Sequence, residues 1–468
     1  MDTAAHDAID ARNSEGLRKD ALPFSETLAQ SVANIAPTAT PAVNLGLVFA
    51  ASGQATWFTY LIATIGLLLI GICIAQFAKR SATPGSLYAY VSRSLGPTAG
   101  FFTGWGLILA YLTTGIAVVA GAAMYAGDLF AAAGFTISPY IVYAICASAI
   151  FLIAYRDVSL SARVMLGIEA SSVAAIFILA MIAVSKHGFN SEQFALKGLT
   201  ADGLRSGLVL GIFSFVGFES ASAMGGEARD PLKSVPRAVL LSTAISGTFF
   251  VIMSFLMVSA FGGAKTLGTD TAPLHTMAGI GGVPILGTFC SALAMVSLFA
   301  CALACTSAVS RILMAMGRDG LIHVSVGSTH VTNNTPHIAA GVSAFLMFLV
   351  PALCTASGLA LGDIYGLNGT IATYGFLIDY ILIAVGAMVY LSKLKQSSIA
   401  VTLAALVGIG FMGIAVLGSV SPYPAKPYAY LPIIFAVYTG IGAVCWMLSH
   451  RSAAAASLAG DSLAEGTA

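Results

Sequence analysis

The chain has 468 residues, of which 58% are hydrophobic and 9% are charged, and its formal net charge is +1. Soluble domains carry about 25% charged residues, so this composition excludes a soluble globular protein and indicates an integral membrane protein. The near-neutral charge argues against a nucleic-acid partner and leaves membrane lipid as the expected surroundings of the chain.

Apolar runs of the length that spans a bilayer, about 20 residues, occur twelve times. They cover residues 26–50, 56–77, 97–126, 138–155, 161–185, 206–227, 236–261, 282–316, 337–357, 367–392, 398–420 and 428–449. The sequence therefore predicts an all-α integral membrane protein with twelve transmembrane helices. We expect a ten-helix transport core at 25–392, two further helices at 393–449, and tails at 1–24 and 450–468.

The loop charges predict an orientation for these helices. With the N-terminus inside, the outer segments hold five of the 21 lysines and arginines, and the cytoplasmic segments hold the remaining 16. Such an excess is the positive-inside pattern of multi-pass proteins. We expect both termini in the cytoplasm and the chain in the cell membrane, plasma or inner. Residues 1–24 are polar, which is not the pattern of a signal peptide.

The first run is interrupted by two prolines, Pro37 and Pro41. Each proline removes a backbone donor and pushes the preceding residue out of helical geometry. We therefore expect the first helix to be discontinuous near residues 36–41. The predicted lining residues from this helix are Ala36, Pro37, Thr38 and Ala39.

The sixth run breaks at Gly217 and carries a carboxylate, Glu219, directly after the break. A carboxylate at mid-bilayer costs about 2.5–3.5 kcal/mol on insertion scales and is a functional candidate by default. Non-helical backbone at that depth occurs where it lines a cavity or is buried in protein. The predicted lining residues from this helix are Phe213, Ser214, Val216, Gly217, Phe218 and Glu219.

Helices one and six hold corresponding positions in two halves of five helices each. Because five is odd, the second half is inverted in the membrane, and paired breaks in inverted repeats point to a transporter's binding site. The positive end of a half-helix favours a substrate carboxylate, whereas free carbonyls favour a cation or an ammonium group. The pair of breaks therefore predicts a transport site between the two halves.

Three carboxylates lie well inside the apolar runs: Glu169, Glu219 and Asp379. The same spans offer no lysine or arginine to pair with them, since Arg163 lies nearer the cytoplasmic end of its run. A carboxylate without a cationic partner at low dielectric favours its protonated form, which suits proton exchange. The same acids suit a cationic substrate, or a structural role as carboxyls bonded to backbone carbonyls. All three interpretations stay open.

Adjacent hydroxyls on helix eight, Thr306 and Ser307, form a candidate sodium site with carbonyls of helix one and Ser172 of helix five. Ordinary hydrogen bonding between helices is the alternative. The seven scattered cysteines predict neither a disulfide framework nor a metal site. The sequence has no metal-ligand cluster, nucleophile elbow or phosphate loop, so we expect no cofactor beyond a coupling ion, a proton or sodium, and no enzyme.

Short motifs along nearly the whole chain, from about Phe24 to the end of helix twelve, resemble the amino acid–polyamine–organocation transporter family. In chain order they are Pro84-Gly85-Ser86-Leu87-Tyr88-Ala89-Tyr90, Gly104-Trp105, Gly217-Phe218-Glu219-Ser220-Ala221, Glu227-Ala228-Arg229-Asp230-Pro231, Val235-Pro236-Arg237-Ala238, Ser310-Arg311, Gly317-Arg318-Asp319-Gly320-Leu321 and Asn334-Thr335-Pro336. Each motif is weak alone, but together in this order they are specific to the family.

This resemblance implies a leucine-transporter-like fold with 5+5 inverted repeats and alternating access. It implies that the breaks in helices one and six hold the substrate's carboxylate and amine. The sequence from Phe213 to Glu219 is similar to the helix-six motif of the family's arginine–agmatine and putrescine–ornithine exchangers. In those exchangers an aromatic residue at the position of Phe213 caps the substrate, and the acid at the position of Glu219 is tied to protonation or amine binding.

Two positions depart from the family pattern. Many relatives have a glycine–small–glycine break where this chain has Ala36-Pro37-Thr38-Ala39, which leaves the substrate class open. Several proton-coupled relatives carry a lysine in helix five, where this chain has a serine, Ser171 or Ser172. Coupling through a lysine is therefore not available.

The sequence thus predicts an amino acid permease, a secondary active transporter that moves amino acids or related small amines by ion-coupled symport or exchange. The alternative within the same fold is a polyamine or organic-cation carrier. A channel or a transporter-fold nutrient sensor is the alternative from another class. The substrate, the coupling ion, the direction of net flux and the oligomeric state are not determined by the sequence.

Overall fold

The computed structural model describes residues 11–156, 158–196, 199–421 and 424–465. Fifteen α-helices and no named β-strand lie in these residues. The helices of the first half are α1 (Phe24–Ile35), α2 (Leu45–Ser52), α3 (Thr56–Ala78), α4 (Ser86–Leu95), α5 (Pro97–Ala132), α6 (Pro139–Arg156), α7 (Val158–His187) and α8 (Ala201–Phe213). The helices of the second half are α9 (Pro231–Ala260), α10 (Pro273–Gly281), α11 (Pro284–Arg318), α12 (His337–Ala356), α13 (Leu361–Lys393), α14 (Ile399–Val420) and α15 (Leu431–Glu465).

Ten helical segments within the described residues are long and apolar enough to cross a membrane. The first of them, Phe24–Ala78, contains the first two predicted runs. The sixth predicted run is not among the ten, because α8 has 13 residues and ends at Phe213. The count of twelve spans and the inverted repeat remain predictions.

The break in the first helix lies where the prolines predict it. Helix α1 ends at Ile35, and Ala36 takes a left-handed conformation with φ of 46°. The chain then turns through Pro37 and continues as a π-helix, Thr40–Asn44, which leads into α2. Pro37 has no N–H to donate, so the α-helical ladder cannot continue through this point.

The second half of the sixth run is not an α-helix, so the predicted helix through residue 227 was wrong. After Phe213 the chain turns through residues 214–219 and forms a short 3₁₀-helix, Ser220–Met224. Gly217 and three serines lie in this stretch, and the flexibility of the glycine and the competing hydroxyls of the serines disfavour an α-helix. We refer to residues 214–224 as the helix-six segment.

Some helix ends also differ from the predicted runs. Helix α9 begins at Pro231 and not at residue 236, because proline suits the first helical position. Helix α13 begins at Leu361, six residues before the predicted start at 367. Helix α15 runs beyond residue 449, where the tail was expected.

Helix α5 is the most enclosed of the candidate spans, since 83% of its apolar window is buried, against 17% for the last span. Helices α5 and α13 approach closely at Gly375, where a Cβ atom would lie 2.8 Å from the Gly106 carbonyl oxygen. The outer helices α14 and α15 expose large apolar side chains, among them Leu403, Val407, Ile434 and Val437. The core therefore forms around α5, and the outer helices present the apolar surface that lipid would cover.

Candidate functional site

The two breaks lie against each other, and hydrogen bonds join them. The Ser31 hydroxyl on α1 donates to the Phe218 carbonyl at 2.7 Å and accepts from the Ala221 amide at 3.1 Å. The Ser220 hydroxyl donates to the Gln30 carbonyl at 3.2 Å. The last turns of α1 and the helix-six segment therefore form one connected unit at the centre of the protein.

Gly217 is the point of closest approach in this unit. Its φ is +84°, and a Cβ atom there would lie 2.6 Å from Cγ of Asn34. Both the left-handed backbone and the missing side chain are needed, because any other residue would be strained and would displace Asn34. The predicted break at Gly217 thus has a steric cause.

Gly217→Ala is expected to lower the melting temperature of the purified protein and to weaken substrate binding. The left-handed backbone alone costs about 1–2 kcal/mol for an L-residue, and the new methyl group would move Asn34. Thermal unfolding in detergent and substrate titration measure the two effects. Gly413→Ala on α14 is the control, since nothing lies within 4 Å of its Cβ position. Equal melting temperatures for both variants would contradict this account.

Asn34 was missed by the sequence analysis, although it lies two residues before the break. Its Oδ1 accepts from the Cys305 thiol at 3.0 Å, and the Cys301 thiol donates to its carbonyl at 3.1 Å. Its Nδ2 is buried and has no hydrogen-bond partner among the described residues. The two cysteines therefore satisfy acceptors at the end of α1 and leave the amide donors available. The position of Asn34 beside the proline break was the sequence signal that could have identified it as a site residue.

Glu219 is fully buried, and both of its carboxylate oxygens are occupied. The Tyr111 hydroxyl on α5 donates to Oε1 at 2.6 Å, and the Tyr380 hydroxyl on α13 donates to Oε2 at 2.8 Å. An acceptor with two donors suits the ionised form of the acid. Glu219 thus links the helix-six segment to α5 and α13, and the sequence analysis did not identify either tyrosine as its partner.

Glu169 is also buried and also accepts two hydroxyl hydrogen bonds. Thr38 in the helix-one break donates to Oε2 at 3.0 Å, and Ser297 on α11 donates to Oε1. Glu169 lies on α7, so its carboxylate connects the break to two other helices. The structure therefore places Thr38 and Glu169 together, as two of the predicted site residues.

Asp379 differs from the other two acids. It is fully buried on α13, and neither carboxylate oxygen has a hydrogen-bond partner among the described residues. The carboxyl group lies against Gly106 of α5, where a Cβ atom would be 2.8 Å from Oδ1. Among the described residues it forms no hydrogen bond to either break.

The hydroxyls of the candidate sodium site do not converge. Thr306 donates within its own helix to the Ala302 carbonyl and also contacts Met347 of α12. Ser172 donates to the Ile168 carbonyl of its own helix. The hydroxyl on α11 that shares a partner with the helix-one break is Ser297, because Ser297 and Thr38 both donate to Glu169. The sodium site from Thr306, Ser307 and Ser172 stays a prediction.

The two aromatic residues that flank the second break occupy different surroundings. Phe213 packs edge-on against Tyr365 with ring centroids 5.8 Å apart, next to Gly369. Phe218 is fully buried beside Tyr380, with centroids 5.3 Å apart. Phe213 therefore suits the role of a movable cap better than Phe218 does. Ser214 is hydrogen bonded to Tyr60 of α3 at 3.0 Å, and Val216 is buried.

An open cavity of about 610 Å³ approaches the breaks from one end of the bundle. Helices α2, α8, α13 and α14 and the chain before α15 line it, with Val209, Leu210, Thr370 and Tyr374 among the lining residues. Val209 and Leu210 lie within one helical turn of Phe213. Phe213 therefore follows the lining residues of this cavity along α8, at the end of the helix from which the second break starts.

The opposite end of the bundle is closed by charged residues. Arg311 of α11 forms a two-point ion pair with Glu227 at 2.5 and 3.0 Å, and both side chains are 2% exposed. Arg311 also donates to the Ser307 carbonyl at 2.7 Å. The pair holds the chain after the helix-six segment against α11.

Residues 11–22 cover this closed end. Leu22 pairs with the 227–229 backbone: its amide donates to the Glu227 carbonyl at 3.0 Å, and its carbonyl accepts from the Arg229 amide at 2.7 Å. Arg12 forms an ion pair with Asp319, which also accepts from the Tyr88 hydroxyl of α4 at 2.6 Å. We refer to residues 11–22, α4 and residues 225–229 as the N-terminal face.

Comparison with known proteins shows what the chain is similar to. The amino acid permease profile matches residues 27–449. The branched-chain amino acid permease BcaP of Bacillus subtilis is 24% identical over 360 residues, which are 73% of this chain and 75% of that protein. Cationic amino acid transporter 4 of Mus musculus is 25% identical over 357 residues, 71% of this chain and 54% of that protein. BcaP of Lactococcus lactis is 27% identical over 302 residues, 60% and 65% of the two chains.

Proposed function

The chain belongs to the amino acid permease family, and on this premise we propose that it is a secondary active transporter that moves amino acids across the cell membrane. The family and the ten apolar helical segments make it a multi-pass membrane transporter and not an enzyme. The proposal rests on one observation above all. Two broken helices meet at the centre of the protein beside an amide, Asn34, whose donors are unoccupied.

The substrate would bind through the groups that all amino acids share. Its carboxylate would accept from Asn34 Nδ2 and from amides at the positive end of the half-helix that starts near Thr40. Its ammonium would meet carbonyls left free at the breaks. Both predicted sets of lining residues, from Ala36 to Ala39 and from Phe213 to Glu219, stay candidates for this site.

We further propose that the side chain of the substrate is neutral and apolar. The buried residues around the breaks include Ala36, Ala39, Phe213 and Val216. The acids Glu219 and Glu169 already accept hydrogen bonds from the protein, so neither is free to pair with a cationic side chain. Of the three relatives described above, two are named as branched-chain permeases and one as a cationic transporter.

A thermal-shift screen of the purified protein tests the substrate class. Leucine, lysine, 3-methylbutylamine and putrescine are compared at matched concentrations, and hits are confirmed by uptake into liposomes. We expect leucine to stabilise the protein and its decarboxylated amine to have no effect, since a ligand at about 100 times its Kd adds about 2.7 kcal/mol. Stabilisation by the amines alone would contradict the proposal and favour a polyamine or organic-cation carrier.

Transport would proceed by alternating access in a twelve-helix, 5+5 inverted-repeat fold. The N-terminal face would be the cytoplasmic side, in agreement with the loop charges. It is closed by the buried Arg311–Glu227 pair, whereas the cavity beside Phe213 opens on the other side. This arrangement corresponds to a state closed to the cytoplasm. The substrate would reach the breaks once Phe213 moves aside.

A further inference from the structure

Three acids lie inside the apolar helices, and their partners distinguish them. Glu219 and Glu169 each accept two hydroxyl hydrogen bonds, which suit an ionised carboxylate. Asp379 is as deeply buried, but neither of its oxygens has a hydrogen-bond partner among the described residues. An ionised carboxylate buried without any partner is strongly disfavoured, so in this arrangement Asp379 holds a proton.

We propose that Asp379 is the proton-binding residue that couples transport to a proton gradient, an inference that rests on the proposed transport function. The residue binds a proton in the arrangement seen here, where α5 and α13 are in close contact at Gly106. It would release that proton when these helices separate and water reaches the carboxyl group.

The position of Asp379 explains how its charge would reach the substrate site. The next residue, Tyr380, donates to Glu219 in the helix-six segment at 2.8 Å, so adjacent residues of α13 carry the Asp379 carboxyl and hold the Glu219 carboxylate. Ionised Asp379 would repel the Glu219 carboxylate, because like charges at low dielectric interact strongly. Loss of the proton would therefore disfavour the clamp that Glu219 forms with α5 and α13.

Besides Glu219, the titratable groups that the described residues place near Asp379 include three tyrosines. Tyr438 of α15 lies near it, Tyr380 follows it on α13, and Tyr111 lies five residues after Gly106 on α5. None of them carries a positive charge that would stabilise the ionised form. In the arrangement seen here Asp379 binds its proton more tightly than it would in a hydrated arrangement. By linkage, a lower pH would therefore favour the arrangement seen here.

The test uses the full-length protein in liposomes, with leucine as the substrate. Uptake is measured with and without an inward proton gradient, and leucine exchange is measured at equal pH on both sides. We expect the gradient to accelerate uptake by the wild type and to have no effect on Asp379→Asn, which still exchanges leucine. Asp363→Asn is the control, because this aspartate lies on the same helix but is exposed. It should keep the gradient response.

A second measurement does not depend on any variant folding. Infrared spectra of protein with carboxyl-labelled aspartate report protonated aspartates by their C=O stretching band. Asp379 is the one fully buried aspartate among those the structure describes, so a labelled band at neutral pH would support the proposal. Absence of that band from the folded wild type would overturn it.

The outcomes separate this inference from the proposed function. A gradient response in Asp379→Asn equal to that of the wild type would overturn the inference. So would a wild type that exchanges leucine without responding to the gradient, and in that case the proposed function would stand. A folded wild type that transports no amino acid would contradict the proposed function, and the inference would fall with it.

Discussion

Glu219→Gln is expected to slow transport by about tenfold at neutral pH and to lower the melting temperature. The carboxylate accepts from Tyr111 and Tyr380, and glutamine has one acceptor oxygen and would turn an N–H group toward one of the hydroxyls. The loss of one hydrogen bond to a charged group costs about 1.5–3 kcal/mol, which corresponds to a factor of ten or more. Uptake as a function of pH and thermal unfolding measure the effect.

Tyr111→Phe and Tyr380→Phe are the matched variants for this clamp. Each removes one donor and leaves one, so each should lower the melting temperature less than Glu219→Ala does. In a double-mutant cycle, Tyr111→Phe should cost less in the Glu219→Gln background than in the wild type. An unchanged melting temperature in Glu219→Gln would contradict the clamp and would instead favour the interpretation that Glu219 itself exchanges protons during transport.

Glu227→Gln is expected to open the N-terminal face. It leaves the Arg311 charge buried and unpaired, and breaking a buried ion pair from one side costs about 3–5 kcal/mol. The native Cys305 thiol is buried on the same helix and reports the opening, once the six other cysteines are replaced. We expect faster maleimide labelling of Cys305 and a lower melting temperature than in the parent protein.

Two variants control for this result. Glu227→Gln combined with Arg311→Met removes both charges, so the double variant should regain part of the lost stability. Asp202→Asn breaks the ion pair between Asp202 and Arg205, whose side chains are 59% and 31% exposed, respectively. Because this pair is exposed, its loss should change the melting temperature and the labelling rate little. If Glu227→Gln left Cys305 as protected as in the parent protein, the ion pair would not be what closes this face.

The local features of the sequence predicted the backbone of the site well. Pro37 and Gly217 mark both breaks, because proline and glycine act on the backbone at their own positions. The helix-six segment was predicted less well, since apolar content alone does not distinguish an α-helix from a 3₁₀ turn. The positions of the three acids inside apolar runs were also evident from the sequence.

The roles of those acids were not predictable, because their partners come from distant parts of the chain. Tyr111 and Tyr380 lie 108 and 161 residues from Glu219, and Thr38 lies 131 residues from Glu169. No spacing rule connects such positions. The same holds for Asn34, whose free donors become visible once Cys305 and Gly217 are placed beside it.

The Glu219 clamp also has a consequence for how the chain is made. Tyr380 is synthesised 161 residues after Glu219, so the ribosome completes several further helices before the second donor exists. Until then the nascent chain holds a half-satisfied acid in or beside the bilayer, where such a group is costly. Biogenesis therefore has a late step, the arrival of α13 beside α5. Chains in which α13 does not pack beside α5 are expected to be degraded by quality-control proteases.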